Sequence, residues 1–142
     1  MLKQYLLEPE VAGQLGENSV LDYSRQPPII KTLHYQFDDW LGDDILETFQ
    51  CFICSESLTQ VLKKQGLTGF VIKDCEIGKS QLFFDLNIDD LQLPKFYWFD
   101  VIGNKVDDFY LLPNFMLVVS ERALNVLKQF NINHCDIKEY YG

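Results

Sequence analysis

No run of apolar residues in the chain reaches the roughly 20 that a helix needs to cross a bilayer, so no membrane partner is expected. The opening segment Met1-Leu2-Lys3-Gln4-Tyr5-Leu6-Leu7 meets Glu8 and Pro9 too early for a secretory apolar stretch. A cytoplasmic location is the expectation. Basic residues are scarce: 12 Lys and Arg stand against 21 Asp and Glu, giving a formal net charge of −9. Such a surface repels phosphate backbones, which argues against nucleic-acid binding. It favours fast, steered encounter with a basic partner.

Catalytic signatures are sparse too. Gly66-Leu67-Thr68-Gly69-Phe70 closes a helix pattern where a phosphate loop would open one. Neither a G-x-S-x-G elbow nor a D-x-D-x-D-G calcium loop occurs. The only histidines are His34 and His134, and neither has a partner fixed by spacing that would mark a general base. No catalytic residue, cofactor or metal is assigned, and a carboxylate- or metal-dependent enzyme is the least favoured class.

Cysteine is limited to Cys51, Cys54, Cys75 and Cys135. The pair in Cys51-Phe52-Ile53-Cys54 has redox-motif spacing but lies in an apolar run that reads as a strand. There a separation of three places the thiols on opposite faces. A reactive pair sits instead at a helix N-terminus. A zinc site would need a second pair, and Asn133-His134-Cys135 offers only a ragged one. Buried, reduced structural cysteines are expected.

What the chain has is apolar mass. Hydrophobic residues make up 47% and aromatics 14% of 142 residues, enough to fill the core of one ordinary domain. No stretch rich in Gly, Ser or charge divides residues 1–142, so a single domain is expected.

The strongest internal signal is a repeat. Residues 52–63, Phe52-Ile53-Cys54-Ser55-Glu56-Ser57-Leu58-Thr59-Gln60-Val61-Leu62-Lys63, align without gaps to 117–128, Leu117-Val118-Val119-Ser120-Glu121-Arg122-Ala123-Leu124-Asn125-Val126-Leu127-Lys128. Each copy reads as a buried strand, a Ser N-cap (Ser55, Ser120) and an acidic first turn. An apolar helical stripe follows. Gly66 and Asn131 stand where a left-handed stop belongs, each followed by an apolar residue. Second strands are expected at Phe70-Val71-Ile72 and around Ile137. The copies span about 49–74 and 115–139, and an upstream Gly-Asp-Asp approach (Gly42-Asp43-Asp44; Gly103 with Asp107-Asp108) extends the match weakly. The fold expected is α+β, with both strand–helix–strand units in one mixed sheet and the helices packed on it.

Elsewhere, Lys3–Leu7 and Ile29–Phe37 read as strands, and 9–28 as a long ordered loop. Phe96 to Ile102 reads as a strand. Ser80–Leu86 reads as a helix, and Asp43–Phe49 as a short helix because Asp44 and Glu47 have capping-box spacing.

Carboxylates fall in three groups: Asp38, Asp39, Asp43, Asp44 and Glu47; Asp85, Asp89 and Asp90; Asp100, Asp107 and Asp108. Solvated turns are the plain reading. Among functional readings a contact face for a basic protein leads over paired catalytic carboxylates or a cation site. Asp38, Asp39, Trp40, Asp43, Asp44, Asp107 and Asp108 are the candidate partner-binding residues. Trp40 is included because tryptophan is a typical interface anchor, although core packing suits it as well.

The segments Phe52–Leu58 with Gly66–Phe70, and again Leu117–Leu124, resemble the small cytoplasmic immunity proteins of bacterial polymorphic toxin systems. The similarity is to the immunity MXAN-0049-type (Imm11-type) family and its Imm43-like relatives. The resemblance covers about a third of the chain. It implies a non-enzymatic inhibitor that binds a cognate toxin domain, and the acidic surface suits a basic one. It carries over no contact residues. The alternative expectation is a regulatory or scaffold domain with a cellular protein partner.

Overall fold

The structure is a computed structural model that describes residues 3–142. The first half runs β1 (Gln4–Glu8), β2 (Gly13–Leu15), β3 (Val20–Asp22), β4 (Ile29–Thr32), β5 (His34–Phe37), β6 (Ile45–Thr48), β7 (Cys51–Ser55) and α1 (Glu56–Lys64). Then follow β8 (Phe70–Lys73), β9 (Glu76–Lys79), α2 (Gln81–Leu86), β10 (Phe96–Val101), β11 (Phe109–Leu111), β12 (Leu117–Ser120), α3 (Glu121–Leu127) and β13 (Asp136–Tyr140). The class is strand-dominated α+β.

Two four-stranded antiparallel sheets carry the architecture, in the orders β11-β12-β1-β13 and β6-β7-β10-β8. The two strand–helix–strand segments therefore lie in different sheets, not in one. In each, the strands flanking the helix are separated by an inserted antiparallel strand: β10 between β7 and β8, β1 between β12 and β13. The inserted strands come from distant sequence, which is why local periodicity does not reveal the division. A third sheet, β2-β5-β9, and the hairpin β3-β4 complete the set.

The helix starts follow the serines. Ser55 Oγ accepts from Leu58 N–H at 3.3 Å, Ser120 Oγ from Ala123 N–H at 3.1 Å and Ser80 Oγ from Phe83 N–H at 3.2 Å, each satisfying a donor the helix leaves open. α1 stops as expected: Gly66 has φ +68. Leu67 N–H donates to Leu62 O at 3.2 Å and Gly66 N–H to Lys63 O at 3.0 Å, a Schellman ending. α3 stops differently. It ends at Leu127, tightens into three-residue turns through Phe130, and leaves Asn131 outside the left-handed region. The Asn131 backbone is instead held by Asp44, which takes over the job of a stop.

Three other expectations change. Asp43–Phe49 forms strand β6 rather than a helix, because Ile45 and Leu46 bury opposite faces against two cores and the strand pairs with β7. Residues 9–28 contain β2 and β3. Ile29–Phe37 divides at Leu33 into strands of different sheets.

β6 and β7 are joined by only Phe49 and Gln50, with φ of 39° and 65°. A two-residue hairpin of this hand wants positive φ at both positions, which suits Asn-Gly and strains other residues. Gln50→Gly should therefore raise stability by about 0.5–1 kcal/mol. Denaturant titration of the pair checks it, and an unchanged or lower midpoint would show that the Gln50 side chain contributes more than its strain costs.

The core has two compartments on either face of the β6-β7-β10-β8 sheet. Phe52, Cys54 and Phe99 face α1, α3 and the other four-stranded sheet. Cys51, Ile53, Phe96 and Trp98 face β5 and Phe83 of α2. β7 is buried throughout, so the two cysteines of the C-x-x-C do point to opposite sides, as the spacing requires. All four thiols are free. Burial pushes Cys51 up to about 12 and Cys54 well above its ordinary value, so neither supplies a thiolate near neutrality. Among the described residues no helix is long and apolar enough to cross a membrane.

Candidate partner-binding face

The paired acidic approaches to the two helices turn inward. Asp44 Oδ1 accepts the Ser55 hydroxyl at 2.7 Å, and Asp44 Oδ2 accepts Asn131 N–H at 2.8 Å. Asp108 Oδ1 accepts the Ser120 hydroxyl at 2.7 Å, and its Oδ2 accepts Thr68 N–H at 2.9 Å. Each aspartate thus links the cap of its own helix to the chain leaving the other helix. Arg122 adds a two-pronged contact to Asp108 at 2.9 and 2.8 Å. Burial alone would raise the Asp108 carboxyl. Hydrogen bonds from Arg122, Ser120 and Thr68 N–H, with the Arg122 charge, outweigh it and hold the pKa at about 2.

Asp43 is 0% exposed. Its Oδ2 accepts His134 N–H at 2.9 Å, and its Oδ1 lies 2.8 Å from His134 Nδ1. Glu10 stands behind, with Oε2 4.0 Å from the same ring nitrogen and Oε1 buried without a hydrogen-bond partner. The Asp43 hydrogen bond first, then the surrounding carboxylate charge, raise the His134 pKa. Burial first, then Asp43 and Asp39, raise that of Glu10, against the pull of His134. A His–Asp pair can orient an imidazole for proton transfer. Here the carboxylate also grips the His134 backbone, fastening the approach to β13 against the approach to β6.

Glu47 on β6 has the most consequential titration of this region. Burial, helped by the charge of Glu8, raises its pKa to about 7. A carboxyl whose folded pKa is raised favours the fold at low pH, and that contribution is lost as pH climbs from the unfolded value near 4.3 through about 7. Glu47→Gln should gain on the order of 2 kcal/mol over the native chain at pH 8 and little at pH 4. Urea unfolding at the two pH values checks this, and an equal gain at both would contradict it.

The remaining candidates reach solvent. Asp38 and Asp39 are half-buried beside Val11 and Leu41, around a depression of about 240 Å³. Asp39 Oδ1 accepts Trp40 N–H at 2.8 Å and Asn87 Nδ2–H at 3.0 Å, which ties it to the end of α2. Trp40 packs edge-on against Phe96 and donates Nε1–H to Asp43 O at 2.8 Å, so most of it serves the core rather than a partner. Asp107 accepts Asn104 N–H at 2.8 Å and closes its own turn. The structure therefore gathers Asp38, Asp39, Trp40 and Asp43 into one neighbourhood, with Asp44 beside them facing inward. Asp107 and Asp108 belong to another, around Thr68 and Arg122.

Sequence reasoning missed the apolar side of the first neighbourhood. Leu86 and Ile88, at the end of α2, are 56% and 90% exposed, and Val11 and Leu41 are 64% and 55% exposed. The signal was present in Gln81–Leu93, where apolar residues outnumber what one short helix can bury.

No protein-family model matches the chain, and the search of curated proteins returns no significant match.

Proposed function

We propose that the chain is a binding protein, and within that class an immunity protein that neutralises a cognate toxin domain by occluding it. The observation that carries this reading is the grouping of exposed Val11 and Leu41 with Asp38 and Asp39, tied through the Asn87–Asp39 bond to the segment that bears exposed Leu86 and Ile88, on a chain of net charge −9. Exposed apolar side chains rimmed by charge of one sign are what a protein interface needs: anchors that lose water and a rim that steers. A basic toxin domain, such as a nuclease whose own site attracts phosphate, has the complementary charge. Occlusion takes about 800 Å² from each partner, within reach of a domain this size.

The likeness of Phe52–Lys63 to Leu117–Lys128 supports reading the two strand–helix–strand segments as copies of one unit. Shared caps, shared Asp–Ser bonds and one inserted strand each support the same reading. On that view the repeat is scaffold, and the face lies outside it. Cytoplasmic residence, where such a protein meets a toxin before it acts, belongs to the same proposal.

The same face would serve a regulatory or scaffold domain, and partner identity separates the two. The tagged chain is used to recover its partner from the source cells at low salt. The partner is then expressed in sensitive cells with and without the chain. Growth restored by the chain supports immunity; a harmless partner would leave the scaffold reading in its place.

A further inference from the structure

α2 and the segment after it form a ridge with little reason to be apolar in a protein that stands alone. Of the residues of α2, only Phe83 is buried. Leu82, Phe84 and Leu86 are each half exposed or more, and Ile88 is 90% exposed. Residues 81–93 contain three aspartates and no basic residue. Asp90 is partly neutralised by Lys79, at 3.7 Å, but Asp85 and Asp89 stand exposed on the ridge. Leu86, Ile88 and Asp89 also border a depression of about 420 Å³ with Asn87 and Leu91. Through the Asn87–Asp39 bond this surface continues into the depression beside Val11 and Leu41. Among the described residues no cation lines either depression.

From this geometry we infer that the α2 ridge is the docking site for a cationic amphipathic element of the protein partner. That element would insert an apolar side chain beside Leu86 and Ile88 and set lysine or arginine against Asp85, Asp89 and Asp39. The inference rests on the binding-protein reading above and gives it a location and a partner chemistry. Charge complementarity selects the occupant. A second copy of the chain would bring aspartates against aspartates, and an anionic lipid surface would be repelled in the same way. An uncharged apolar partner would leave the aspartates partly desolvated without a counter-charge.

The test uses the full chain, labelled for amide NMR, and a short synthetic helix with one leucine face and one lysine face. An all-lysine peptide of equal charge, a leucine/glutamate peptide and zwitterionic vesicles are the comparison probes. Binding of the leucine/lysine helix should shift amides of residues 81–93 and around Leu41, weaken with salt, and exceed the all-lysine peptide. Leu86→Ser with Ile88→Ser should weaken it about tenfold. Asp85→Lys with Asp89→Lys should weaken it and flatten its salt dependence. Val106→Ser, which alters a residue 91% exposed elsewhere, should change nothing. All these positions are exposed, and thermal melting confirms that each variant keeps the fold.

Equal binding of the all-lysine and leucine/lysine peptides, shifts confined to other surfaces, or preference for the glutamate peptide or the vesicles would overturn the inference. The toxin-rescue experiment is read separately. Ridge binding without rescue keeps the docking site and removes the immunity role. Rescue unaffected by the ridge variants keeps immunity and removes this site.

Discussion

Asp108→Ala is expected to lower stability by about 3 kcal/mol at pH 7, although the residue lies in a loop between strands. Asp108 is 7% exposed and accepts from the Ser120 hydroxyl, Thr68 N–H and Arg122. Alanine leaves the part-buried hydroxyl and amide without their acceptor, and each such orphan costs about 1–3 kcal/mol. It also detaches the approach to β11 from the chain that leaves α1. The pH dependence follows from a folded pKa near 2, below the unfolded value of about 3.9. A depressed carboxyl stabilises the fold above the unfolded pKa, and that contribution is lost as pH falls from about 4 through 2. The variant should therefore be hurt most near neutrality, and its deficit should shrink toward pH 2. Urea unfolding at pH 7 and pH 3 measures both. A cost under about 1 kcal/mol would mean that water replaces the carboxylate.

Gly69→Ala should be as damaging, by about 3 kcal/mol or more. Gly69 has φ +102, and a Cβ there would sit 2.1 Å from the Phe109 carbonyl oxygen, an atom of the backbone that cannot swing aside. The neighbouring Gly103 meets the same oxygen at the same distance. The two glycines let the chain around Thr68 close onto the start of β11, where Asp108 and Thr68 exchange their bonds. Gly66→Ala is the control. Its φ of +68 is also left-handed, but nothing lies within 4 Å of the added carbon. It should cost only about 1 kcal/mol. Equal losses at the two positions would show that backbone conformation, not the close approach, sets the requirement at Gly69.

These two sites show what could and could not be read from the residues. Ser55 and Ser120 were legible as caps, and Gly66 as a stop, because each acts through neighbours a few positions away. Strand β10 was legible because an aromatic run after a proline has few other uses. The partners of Asp44 and Asp108 were not legible. Asn131 and Thr68 lie far along the chain, and their backbone amides carry no signature of identity. The same limit misassigned Asp43–Phe49: capping-box spacing is local, whereas the pairing of β6 with β7 and its burial between two cores are not. Asp43 and Asp108 looked like surface charge because aspartate usually is. Buried, they serve as acceptors for a chain that doubles back on itself. Of the proposed face, the carboxylates Asp38 and Asp39 were legible as charge near the surface. Its apolar half was concealed in a short helix whose exposed leucines resemble a core stripe.

If the acidic, apolar face neutralises a toxin, cells carrying the recovered partner should survive when the native chain is co-expressed. They should lose that protection when Asp38, Asp39, Leu86 and Ile88 are replaced together by Lys, Lys, Ser and Ser in a chain that still melts cooperatively. Colony counts on the three strains decide it. Death of the cells with the native chain, or full survival with the variant, would contradict the role assigned to this face.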